Sequence, residues 1–243
     1  MNLYERQIER ELRQWHDDIV KSAGFIERAS AGIQKKAQQM MPRKAQDAIT
    51  AAVGGMVRTM LQGAELLSIR EDTEGLGLAE REYLVLRSFQ GYRAAATAQG
   101  VGFGMGGILL GMADLPVLMS IKIKFMFDAA KLYGYNPEDP DERLYLLYVF
   151  QLAFSSREHR LSIFRRLERW DDEPHPAMDW ERFQVEYRDY LDIAKMLQLL
   201  PVVGGVVGGT TNHKLMNRLR ENLMNCYRIR ILKRHSPQMS PKQ

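Results

Sequence analysis

Between Asp114 and Phe154 the chain reads DLPVLMSIKIKFMFDAAKLYGYNPEDPDERLYLLYVFQLAF, two long apolar runs joined by a turn rich in glycine, proline and acid. Asp114 is placed to cap a helix, because its side chain can accept the free N–H groups of the first turn, and Pro116 in that turn needs no partner. The spacing predicts a helix that ends at Tyr133, with Gly134 as C-cap and Asn136-Pro137 just beyond. Within it Ser120, Lys124, Asp128 and Lys131 form one polar stripe, and apart from Lys122 the remainder is apolar, so the helix is expected to be buried on most sides. The turn NPEDPDE then feeds a second helix, ERLYLLYVFQLAF, apolar almost all round. Strand-like alternation is found nowhere in the chain. The fold class this predicts is all-α, a multi-helix bundle.

Immediately upstream, Gln99–Ile121 reads QGVGFGMGGILLGMADLPVLMSI, and a shorter relative, LLPVVGGVVGGTT, spans Leu199–Thr211. Gly102, Gly104, Gly106, Gly107 and Gly111 in the first run, and Gly204, Gly205, Gly208 and Gly209 in the second, include small residues four apart, the spacing that lets helix backbones approach closely. Two readings stay open: internal seams that hold two helical segments close together, or an element that faces lipid. Val101–Ile121 approaches the ~20 residues a membrane span needs. Asp114 inside it would cost roughly 2.5 to 3.5 kcal/mol, and five glycines and Pro116 weaken it further, which favours shallow insertion over crossing. A phosphate-binding glycine loop needs a strand before it, and the preceding AAATAQ reads as helix.

Working outward, Tyr4, Ile8, Leu12, Trp15 and Ile19 recur at spacings of three and four, predicting an amphipathic helix from Tyr4 toward Met40. A second helical stretch is expected over 44–68. IREDTEGLGL reads as a loop, with helix resuming near Ala79. After a basic stretch ending at Trp170, the loop WDDEPHPAMDW precedes a helix expected over 179–200, and a last helix is expected from near Asn212 to Arg234. The organisation predicted is one domain over 1–235, with a disordered tail at 236–243.

That last helix carries Lys214, Arg218, Arg220, Arg228, Arg230, Lys233 and Arg234 against one acid, Glu221, with Leu215, Leu219, Leu223 and Cys226 as an apolar face. The helix is therefore strongly positive within a chain whose net charge is only +4. A basic helix following an apolar glycine segment suits an anionic lipid surface, so Lys214, Arg218, Arg220, Arg228 and Arg230 are the expected anchoring face. The competing reading is a solvated basic face on a core-packed helix. Asp114, Lys122, Lys124 and Asp128 form a second candidate, a buried polar or ligand site, because isolated buried charges are costly.

Other chemistries find little support. His16, His159, His175, His213 and His235 are scattered without HExxH spacing or a Cys/His cluster, so no metal site and no cofactor is expected. Cys226, the sole cysteine, excludes an intrachain disulfide, fits a reducing compartment and lacks a nucleophile motif. The acidic loop from Asp171 to Glu173 reads as solvated surface. The N-terminus has no signal-peptide pattern, so a cytoplasmic protein is expected, and no nucleic-acid module appears.

The segments GMADLPVLMSIKIKF and DAAKLYGYNPEDPDERLYLLYVFQLAFSS, with the YERQIERELRQW start, resemble the EcsC family of bacterial proteins. The family takes its name from a gene beside those of an ABC transporter, so the resemblance implies a place near a membrane complex, and it brings no catalytic residues. The function expected is therefore non-catalytic: peripheral association with the inner membrane face through anionic lipid, as scaffold or regulator of a membrane complex such as a transporter. The alternative is a soluble helical module that binds a lipid-like or apolar ligand in an internal pocket.

Overall fold

The computed structural model describes residues 2–25, 51, 54–55, 57–60, 72–103, 115–155, 157–172 and 205–235. Every regular element among them is a helix, as expected. They are α1 (Leu3–Phe25), α2 (Leu78–Phe103), α3 (Leu115–Leu132), α4 (Pro140–Phe154), α5 (Arg157–Glu168) and α6 (Gly205–His235). Asp114, Gly104, Gly106, Gly107, Gly111, Gly204, the expected helix over 179–200 and the tail at 236–243 lie outside the described residues.

Local chemistry sets the boundaries where the sequence suggested. At the end of α3 the N–H of Gly134 donates to Lys131 O at 2.9 Å and that of Tyr135 to Ala130 O at 3.0 Å, the paired bonds of a Schellman cap. Gly134 has φ +86°, and a Cβ there would run into the Arg81 guanidinium from α2, so only glycine fits. Asp139 caps α4 by accepting from the N–H of Asp141 at 2.9 Å, with Pro140 in the first turn. From Leu144 to Phe154 every residue of α4 is buried.

The last helix departs from expectation in two respects. It begins at Gly205 rather than near Asn212, so Gly205, Gly208 and Gly209 are helical. It is also the central element of the bundle, touching α1, α2, α3, α4 and α5. From Leu215 to Tyr227 it is buried on several sides at once, with Leu215, Met216, Leu219, Leu223, Met224, Cys226 and Tyr227 all in the core. The sequence left open both a lipid-anchoring surface helix and a core-packed helix with a solvated basic face; the structure packs it into the core as the axis.

Two arginines on that axis are turned inward, which corrects their assignment to an exposed anchoring face. Arg228 donates to both oxygens of the buried Glu82 on α2, at 2.6 and 2.7 Å, and to Glu11 of α1 at 3.2 Å. Tyr4 completes the cluster by donating its hydroxyl to Glu82, and burial pushes that hydroxyl up to about 12. Arg230 donates to Glu142 of α4 at 2.8 Å and to Asp171, just past α5, at 2.8 Å, so Asp171 is a structural partner and not merely solvated surface. The guanidinium of Arg230 lies 4.1 Å from the Tyr135 ring centroid and 4.3 Å from that of Tyr145. Only 13% of the Arg228 side chain and 7% of the Arg230 side chain reach solvent. An arginine so buried is tolerable because bidentate carboxylates and aromatic faces replace its water.

Removing Arg230 therefore leaves Glu142 buried beside nothing that neutralises it. Arg230→Ala is expected to lower unfolding free energy by about 3 to 5 kcal/mol in urea titration. Arg13→Ala, which breaks only the exposed pair with Glu9 on α1, should change it by less than about 1 kcal/mol.

Candidate functional site at the glycine-rich end

Helix directions follow from the side-chain pairs. Glu82 of α2 meets Arg228 of α6, and Phe89 of α2 meets Arg220, so α2 and α6 run antiparallel. Phe125 of α3 packs on Phe89 at 5.2 Å, and Tyr133, one residue past α3, stacks on Tyr227 at 4.9 Å, so α3 runs parallel to α6. Carried along at about 1.5 Å per residue, this register sets Gly102 of α2 level with Gly208 of α6, and the start of α3 level with Gly209. The C-terminal end of α2 and the N-terminal ends of α3 and α6 thus share one end of the bundle. Sequences more than 90 residues apart meet there because the helices between them reverse direction.

That end is apolar in composition: Val101, Gly102 and Phe103 from α2, Pro116 and Val117 from α3, and Val206, Val207, Gly208 and Gly209 from α6. Pro116 is exposed, and Val117 is 42% exposed, the largest exposed apolar side chain on α3. Below it stand the remaining members of the predicted basic face. Lys214 is exposed, while Arg218 and Arg220 are partly buried. Among the described residues, no helix is long and apolar enough to cross a membrane.

The second predicted site divides. Lys122 and Asp128 are both buried and Lys124 is partly so, but Lys122 and Asp128 are six positions apart on α3 and point to different sides. Asp128 accepts a short hydrogen bond from the Tyr92 hydroxyl on α2. Lys122 is fully buried, and its ammonium donates a long hydrogen bond, 3.4 Å, to Leu118 O in its own helix. No carboxylate among the described residues pairs with it, and burial pulls its pKa down to about 8.

Glu82, Glu142 and the tyrosines around Arg230 are the polar residues that sequence reading missed. A buried acid in a helix carries no local mark, and its pairing crosses 146 positions for Glu82–Arg228 and 88 for Glu142–Arg230. Burial raises the Glu142 carboxyl, while Arg230 and the Tyr227 hydroxyl pull against that rise. Cys226 is likewise buried, and its thiol is pushed up to about 12, which leaves it protonated at neutral pH. Among the described residues no group of His, Cys, Asp and Glu could hold a metal ion.

Residues 6–232 match the EcsC protein family, and the chain belongs to it. It is 40% identical over 223 residues to protein EcsC of Bacillus subtilis (strain 168), covering 92% of this chain and 94% of that relative. The uncharacterized protein YdbA of the same strain is 31% identical over 147 residues, 58% of this chain and 54% of YdbA. No solved structure matches.

Lys122 has a measurable signature. Its native pKa, about 8, lies below its ordinary 10.5, so between those values the unfolded chain holds more protons than the folded one. Stability should therefore rise with pH across that window, by about 3 kcal/mol in total. Lys122→Met is expected to remove this slope and to raise stability at pH 7, read as the difference between the two proteins in urea titrations from pH 7 to 10.5.

Proposed function

We propose that this protein binds peripherally to anionic membrane surfaces, presenting the shared end of α2, α3 and α6 to the lipid, and serves there as a non-catalytic scaffold or regulator of a membrane complex. The observation that carries the reading is the convergence of three glycine-rich or apolar helix ends, with Pro116 and Val117 exposed and Lys214 one to two turns below. Apolar side chains entering the headgroup region bring the hydrophobic contribution, and each cation held near an anionic surface adds about 1 kcal/mol. Arg228 and Arg230 have no part in it, because their charge is already spent on Glu82 and on Glu142 with Asp171.

Flotation with liposomes tests this. The wild-type protein is expected to float with phosphatidylglycerol vesicles and to remain below with neutral phosphatidylcholine vesicles. Lys214→Glu with Arg218→Glu should cut the floated fraction severalfold, and Val117→Asp should do so even at low salt. A protein that stays at the bottom with both lipids contradicts the reading.

A further inference from the structure

Away from the glycine-rich end, α1, α2 and α6 enclose a cleft of about 500 Å³. One wall is apolar, formed by Trp15 of α1, Leu86 of α2 and Met224 of α6. Two arginines of α6 reach it, and they differ in state. Arg228 is neutralised by Glu82 and Glu11. Arg220 is not: its guanidinium rests on the Phe89 ring at 5.1 Å, its buried Nε has no hydrogen-bond acceptor, and no carboxylate among the described residues forms an ion pair with it. Arg93 of α2 lies over the same ring at 5.7 Å, which adds a second positive charge nearby. Burial lowers the pKa of Arg220; the neighbouring Glu221 acts against this, and Arg93 and Arg228 reinforce it.

A half-buried guanidinium whose Nε has no acceptor, and with which no carboxylate among the described residues forms an ion pair, is an unfilled recognition element. It offers planar, paired N–H donors matched to the oxygens of phosphate. The acids of the cleft do not fill that role. Glu11 is engaged by Arg228, and Asp18 and Glu221 are exposed at the rim, where water screens them. Beside the guanidinium the apolar wall has the character of a surface for hydrocarbon. We infer that this cleft binds a phosphate group bearing an alkyl chain, with Arg220 as the phosphate ligand and Trp15, Leu86 and Met224 receiving the chain. Arg220 lies eleven residues from Gly209, about 16 Å along the helix, so the site is separate from the membrane-docking end.

The test titrates the full chain with dodecyl phosphate below its micelle concentration, followed by calorimetry and by the fluorescence of Trp15 against a Trp15→Phe control. Inorganic phosphate and uncharged dodecyl maltoside serve as the partial ligands. Saturable binding of dodecyl phosphate is expected, at least tenfold tighter than either partial ligand and at least tenfold weaker in Arg220→Leu, with partial recovery in Arg220→Lys. Equal affinity in wild type and Arg220→Leu would overturn the inference, and so would dodecyl maltoside or inorganic phosphate binding as tightly as dodecyl phosphate. Should Arg220→Leu lose its helical circular dichroism, Leu86→Asn decides, since Leu86 is 38% exposed and lies outside the buried core. It should weaken dodecyl phosphate severalfold while leaving inorganic phosphate unchanged, and an unaltered affinity for dodecyl phosphate would sink the proposal.

Discussion

The bundle turns on two arginines held inside it. Arg228 and Arg230 sit two positions apart on α6 and therefore point to different sides of that helix, one toward Glu82 of α2 and the other toward Glu142 of α4. Buried ion pairs of this kind add little net stability over well-packed apolar residues, since desolvation consumes most of the Coulomb attraction. What they do supply is register. A slip of α6 by one turn against either neighbour would strand a carboxylate and a guanidinium in the core, and the penalty for that exceeds what any shifted packing returns. The tyrosines close the arrangement: Tyr133, Tyr135 and Tyr145 surround Tyr227, and Tyr227 donates to Glu142. Aromatic faces here serve both as apolar filling and as the electron-rich surface on which Arg230 rests.

From this fixed point the molecule divides into two ends of different character. Around the C-terminal half of α6 the charges neutralise one another: Arg228 with Glu82 and Glu11, Arg230 with Glu142 and Asp171, Lys233 with Asp172. Toward the N-terminal half the counter-charges thin out. Lys122 is buried with no carboxylate among the described residues beside it, and Arg93 and Arg220 share the Phe89 ring. Beyond them come glycine and valine. Under the proposed membrane role this is the end that meets lipid. The family membership of the chain is compatible with such a role and assigns no chemistry of its own.

Much of the architecture was legible in sequence because its signals are local. The Gly134 stop and the all-round apolar run of α4 each depend on residues within a few positions, and the structure places them as read, while α4 starts at Pro140, two residues before the Glu142 at which the sequence reading opened it. Small residues four apart in two apolar segments were legible too, but the sequence left open whether they form internal seams or face lipid, and Gly104, Gly106, Gly107, Gly111 and Gly204 lie outside the described residues. What misled was α6. Its positive charges and leucine spacing match an amphipathic surface helix, and nothing within its own sequence shows that five other helices pack against it.

By itself, then, the sequence determined the helices, their caps and the segments too apolar to face water, all of which follow from backbone conformation and from spacing along one strand of chain. The tertiary structure alone decided which charges are free. Whether an arginine faces lipid, ligand or carboxylate depends on acids that lie 88 and 146 residues away, and no periodicity within α6 encodes them. Burial is a property of neighbours, so the same residue type becomes a core pin at Arg230 and, at Arg220, a cation in a cleft with which no carboxylate among the described residues forms an ion pair.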